Sequence, residues 1–167
     1  VVVTNGMVIP NYSKQDDWER FNAIGVSQYG QMTAGSYMYI GPQGIVHGTT
    51  ITVMNAARKQ LKAKGIEGSR ENMKGLLFVT AGLGGMSGAQ PKAGNIAGVV
   101  SVTAEINPLA ARKRHDQGWV DELHDNLDEL MTRIRKAMTG KEVVSLAYVG
   151  NVVDLWERLA DEGIDVN

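Results

Sequence analysis

Residues 80–90, Thr80-Ala81-Gly82-Leu83-Gly84-Gly85-Met86-Ser87-Gly88-Ala89-Gln90, gather Gly82, Gly84, Gly85 and Gly88 directly behind the apolar run Leu76-Leu77-Phe78-Val79. Such a cluster could bind phosphate: glycine lets the backbone turn tightly and approach an anion closely, and free N–H groups at a helix start face the negative charge. A second apolar run, 99–104, ends at Glu105. That acid stands at roughly the ~20-residue distance at which a carboxylate accepts hydrogen bonds from an adenosine ribose. An acid there also repels a 2′-phosphate, so the pattern favours NAD over NADP. The strict G-x-G-x-x-G spacing is not met, because Ser87 occupies its third position. A plain tight turn is the competing reading.

Other polar residues offer less. Segment 28–48 mixes glycine, tyrosine, amides and hydroxyls with no clean period, and reads either as a wandering loop or as a ligand-facing backbone offering Gln31, Thr33, Ser36 and Gln43. His47 beside Gly48 reads as a packed or capping residue. Three scattered histidines make no metal set. Arg112, Lys113 and Arg114 could meet a phosphate, but a basic last helical turn serves the helix dipole equally well. Asn151 follows the apolar run 143–148 and is either a helix N-cap or a ligand contact, and the two are compatible.

The elements that must position these residues follow from periodicity. Runs 76–80, 99–104 and 143–148 are too continuously apolar for one wet face, as expected of parallel strands covered on both sides. A helix rich in Ala and Gly (Ala89, Ala93, Gly94, Ala97) follows the glycine loop, and Asn107-Pro108 opens another that ends near His115. Leu123, Leu127, Leu130, Met131, Ile134 and Met138 are expected on one long helical stripe stopped by Gly140, and Val152, Leu155, Trp156 and Leu159 on another. A helix over 49–64 presents Ile51, Met54, Ala57 and Leu61, and Asp16, Asp17 and Glu19 open a short one near Phe21. Val1 to Thr4 and Met7 to Ile9 flank Asn5-Gly6, a hairpin signal. The fold expected is α/β: a Rossmann-like three-layer domain with a parallel sheet, preceded by a short β-hairpin and a glycine-rich core segment. In an open parallel sheet, adjacent strand ends share one crevice, so Asn151 should face the ligand with Gly85 and Glu105.

Composition narrows the class. The 167 residues are 43% hydrophobic and 21% charged with net charge −1, an ordinary globular balance that gives no reason to expect a nucleic-acid partner. Cysteine is absent, which removes disulfides and a cysteine nucleophile from this chain. No run approaches the ~20 apolar residues of a membrane span, and no signal sequence opens the chain, so a cytoplasmic protein without membrane contact is expected.

The motifs resemble those of the urocanase family: Tyr29-Gly30-Gln31-Met32-Thr33-Ala34-Gly35-Ser36, Tyr39-Ile40-Gly41-Pro42-Gln43-Gly44-Ile45-Val46, residues 80–90, Thr4-Asn5-Gly6-Met7-Val8-Ile9-Pro10 and Gly150-Asn151-Val152-Val153-Asp154-Leu155-Trp156. The resemblance implies a lyase of histidine breakdown that adds water to urocanate to give imidazolone propionate, with tightly bound NAD acting as an electrophile. It also implies a homodimer. Carried over by position, the NAD contacts are Gln31, Gly85, Met86, Ser87, Glu105, Asn151 and Val152. Bacterial relatives have an Arg five residues after the Glu, where this chain has Ala110. The family's catalytic cysteine and a further NAD segment lie beyond Asn167, so no catalytic residue and no metal ligand is expected here. The expectation is a piece of a longer enzyme, inactive in isolation, with residues 1–41 ending an N-terminal core segment and 42–167 beginning the NAD-binding domain. Two other readings stand beside it. An NAD-dependent oxidoreductase would need an acid or base near the nicotinamide, and a non-catalytic dinucleotide-binding module would need a complete sheet.

Overall fold

The computed structural model describes residues 2–4, 12, 14–25, 27–29 and 42–166. Two compact units divide the chain, Val1–Gly44 and Ile45–Asn167. In the first, β1 (Val2–Thr4) and β2 (Ser27–Tyr29) pair in parallel, with α1 (Gln15–Ala23) between them in sequence. Asp16 and Asp17 lie in the first turn of α1, where acids complement the helix dipole. The Phe21 ring meets Tyr12 edge-on at 5.4 Å. The expected hairpin turn and its second arm, residues 5–9, lie outside the described residues; the partner seen for β1 is β2.

The second unit carries the sheet. Its elements are α2 (Pro42–Ala63, which begins just before the unit boundary), α3 (Arg70–Met73), β3 (Leu77–Ala81), α4 (Gln90–Ala97), β4 (Val100–Glu105), α5 (Pro108–Asp116), β5 (Glu122–His124), α6 (Leu127–Thr139), β6 (Val144–Val149) and α7 (Val152–Asp161). Four parallel strands run in the order β3-β4-β6-β5. Residues 100–104 of β4 and 144–148 of β6 are all buried, the polar Ser101, Thr103 and Ser145 included, as strands covered on both faces require. Leu77, Val100, Val102, Val144 and Leu146 pack on one face beneath Leu130, Met131 and Ile134 of α6 and Leu155 and Leu159 of α7. Val53, Ala57 and Leu61 of α2 pack with Ala97, Val99 and Phe78, and Ala111 of α5 packs with Leu83, Val120 and Ala147. The result is the expected three-layer α/β, Rossmann-like arrangement.

Small residues let α4 sit close on the sheet. A Cβ on Gly94 would fall 2.7 Å from the Ser101 Cβ on β4. One corner of the sheet is held by polar groups instead. Asp121 accepts hydrogen bonds from the Ser145 N–H and hydroxyl, both at 2.8 Å, and from Asn95 Nδ2 of α4, also at 2.8 Å.

Three expectations need correction. Leu123 belongs to β5, not to the α6 stripe, because Asn126 caps α6 by accepting from the N–H groups of Asp128 and Glu129. Gly140 closes α6 as expected, in an ordinary right-handed conformation, and Lys141 after it has positive φ, at 50°. Trp156 is 54% exposed, so the buried stripe of α7 is Leu155 and Leu159. Finally, α2 starts at Pro42 rather than Thr49 and absorbs the end of the segment read as loop. Pro42 suits a first helical turn, where a missing N–H costs nothing.

Candidate functional site

Three strands end side by side. The ladder continues one residue past β3 and β6: the Gly82 N–H donates to the Ala104 carbonyl at 2.7 Å, and the Gly150 N–H donates to the Glu105 carbonyl at 3.0 Å. Beyond these bonds the three chains diverge, and a cavity of about 430 Å³ opens among Gly82, Glu105, Ile106, Gly150, Asn151 and Val152. It lies at the carboxyl ends of parallel strands, where ligands of open α/β sheets bind.

Two of its glycines are required by geometry. Gly82 has φ +90°, and a Cβ there would meet Ser87 Oγ at 2.7 Å. A Cβ on Gly150 would fall 2.4 Å from the Tyr148 ring. The loop between β3 and α4 is therefore folded tightly over Gly82, and a single 3-10 turn, Ser87–Ala89, leads it into α4. Thr80 donates its hydroxyl to Gln90 Oε1, tying the strand end to the first residue of α4.

Glu105 joins both loops that rim the cavity. Its Oε2 accepts the Leu83 N–H at 2.5 Å and its Oε1 accepts the Asn107 N–H at 2.8 Å. These bonds fix the carboxylate while each oxygen keeps a lone pair for a further donor. Asn107 in turn accepts from the Leu109 N–H and caps α5, with Pro108 as the first helical residue. On the far side, Asn151 caps α7 by accepting from the Val153 N–H at 3.0 Å. Its amide Nδ2 finds no acceptor among the described residues and remains available. Among the described residues no basic side chain lines the cavity. Favourable potential for an anion therefore comes from backbone N–H groups and from the helix start at α7.

The cavity brings together Glu105, Asn151 and Val152 as expected from the sequence, while Gly85, Met86 and Ser87 lie in the loop that Gly82 joins to it. Gln31 lies outside the described residues. Ile106 and Gly150 were not singled out from the sequence, although each adjoins a residue that was. Arg114 is the larger omission, since it had been grouped with Arg112 and Lys113. Its Nε donates to the Leu83 carbonyl at 3.0 Å and its Nη2 to the Gly84 carbonyl at 2.8 Å. The available signal was helical spacing. Ala111 is fully buried against the sheet, and Arg114, three residues on, shares its inward face.

Comparison with known proteins decides the family. The model of the urocanase Rossmann-like domain matches residues 41–167, and that of the urocanase N-terminal domain matches residues 1–38. The chain belongs to the urocanase family. Among urocanase relatives, urocanate hydratases of Mus musculus and Homo sapiens are each 59% identical over 97% of this chain. A probable urocanate hydratase of Caenorhabditis elegans is 56% identical over the same share. The chain spans 23% of the length of each of these urocanase relatives. Among the described residues no helix is long and apolar enough to cross a membrane.

Proposed function

We propose that residues 42–167 form the NAD-binding part of a urocanate hydratase, with the cavity at the strand ends holding the adenosine diphosphate half of the cofactor. The observation that carries this reading is Glu105, held at the cavity edge by two backbone amides with lone pairs left for a ribose. The residues present fit the group. The glycine loop, Gly85, Met86 and Ser87, faces its backbone to the diphosphate, Glu105 takes the ribose hydroxyls, and Asn151 and Val152 close the opposite wall. Gln31 is proposed with them as a cofactor contact.

In the whole enzyme, the bound nicotinamide supplies an electron-withdrawing centre that makes the imidazole ring of urocanate open to water. This chain's contribution is to bind and orient. Rigid loops pinned by Glu105 set the cofactor's depth without reorganisation on binding, which is how a preorganised site spends least on ordering. The enzyme is proposed to act as a cytoplasmic homodimer in histidine catabolism, adding water to urocanate to form imidazolone propionate.

Glu105→Gln tests the assignment. Glutamine keeps one acceptor oxygen and turns the other into a donor, so it can no longer satisfy both loop amides and a ribose. Calorimetric titration should show NAD affinity falling by about tenfold, roughly the loss of one charge-assisted hydrogen bond. Discrimination against NADP should also relax, since the repelling charge is gone. An unchanged NAD affinity and an unchanged NAD-to-NADP ratio would remove Glu105 from the site.

A further inference from the structure

We propose that Arg114 is a positioning residue for the diphosphate: it holds the glycine loop from behind, so that the loop's N–H groups face the cavity. The proposal rests on the dinucleotide reading above and adds a residue that makes no contact with the ligand.

The argument starts from the guanidinium. Its Nε and Nη2 donate to consecutive carbonyls, Leu83 and Gly84, and its Nη1 donates to Gln117 Oε1 at 2.8 Å. Among the described residues no peptide bond is cis. In a trans peptide the N–H points opposite to the C=O of the same plane. Tying the Leu83 and Gly84 carbonyls to Arg114 therefore turns the Gly84 and Gly85 N–H groups to the opposite side of the loop. Neither N–H has an acceptor among the described residues. Two consecutive unpaired amides turned the same way are the concavity that binds phosphate oxygens.

Charge adds to orientation. All three partners of Arg114 are neutral oxygens, and among the described residues no carboxylate pairs with it. A full positive charge thus stands behind the loop on a half-buried side chain, its bond to the Leu83 carbonyl partly buried and those to Gly84 and Gln117 open to solvent. Arg112 and Lys113, its neighbours in sequence, are exposed. Only Arg114 lies on the face that reaches the loop.

Gly88 makes room for this arrangement. A Cβ at Gly88 would fall 2.4 Å from Arg114 Nε and 3.0 Å from its Cζ. The atoms struck belong to the end of a flexible side chain, so an alanine at 88 would displace Arg114 rather than break the fold. This gives a second way to remove the brace without touching Arg114.

The test measures binding of ADP-ribose and of adenosine, which lacks phosphate, to this chain carrying Arg114→Met, Arg114→Lys or Gly88→Ala. Arg114→Met and Gly88→Ala should weaken ADP-ribose by about tenfold while leaving adenosine within about twofold. Arg114→Lys keeps the charge but cannot span two carbonyls, and should fall between. In the free protein, backbone 15N order parameters over 83–87 should drop in Arg114→Met and stay unchanged elsewhere. Equal loss of both ligands, or undiminished ADP-ribose binding, would overturn the proposal, as would unchanged loop order. If the unsubstituted chain bound neither ligand, the dinucleotide reading would fall, and the order parameters would still decide whether Arg114 holds the loop.

Discussion

At the residue scale, the same carboxylate chemistry serves two ends of the sheet. At the carboxyl ends Glu105 joins two loops, and near the amino end of β6 Asp121 joins α4 to that strand. Partial burial pushes the Asp121 carboxyl up, but hydrogen bonds from the Ser145 backbone, from Asn95 and from the Ser145 hydroxyl, with Lys92 nearby, outweigh it and leave it below its ordinary value of 3.8. A carboxyl depressed on folding binds fewer protons in the folded state than in the unfolded one, so acid favours unfolding. Its stabilising contribution is complete above about pH 4, the unfolded value, and is lost as pH falls through the lower folded value. Urea unfolding between neutral pH and strong acid should therefore show a smaller acid loss in Asp121→Asn than in the unsubstituted chain. Parallel curves for the two would show that Asp121 titrates alike folded and unfolded.

Element by element, capping side chains mark where helices begin. Asn107, Asn126 and Asn151 each accept from backbone N–H groups at the start of α5, α6 and α7. Asn126 satisfies two such groups, those of Asp128 and Glu129, and does not line the cavity. Asn126→Ala should cost about 1 kcal/mol in chemical denaturation, the usual worth of such a cap. ADP-ribose binding should be unaffected. The three long strands and the helices α4 to α7 were legible because parallel strands need continuous apolar runs and helices need caps, and both leave local marks. β5 was not legible: with only Glu122, Leu123 and His124, and Leu123 in phase with Leu127 and Leu130, it mimicked one more turn of helix. The cap at Asn126 was the deciding mark. Trp156 misled for a related reason, since a period of 3.6 admits a flanking position that the packing leaves outside.

For the molecule as a whole, sheet order determines what the site can be. With β3, β4 and β6 adjacent, Gly82, Glu105 and Asn151 converge although they are far apart in sequence. That convergence was predictable from parallel topology. The bracing by Arg114 was not, because it depends on the height at which α5 crosses the loop, which no local pattern encodes. Along its other edge β3 has no strand partner among the described residues, and an apolar groove of about 270 Å³ runs there between Val53, Ala57, Phe78 and Val99. The account stands or falls on whether the strand ends hold a dinucleotide, and the most direct measurement is a 1H–15N correlation spectrum of this chain titrated with ADP-ribose. Saturable shifts concentrated at residues 82–87, Glu105, Ile106, Asn151 and Val152 are the predicted result. Shifts confined to the groove beside β3, or none at saturating ligand, would contradict it.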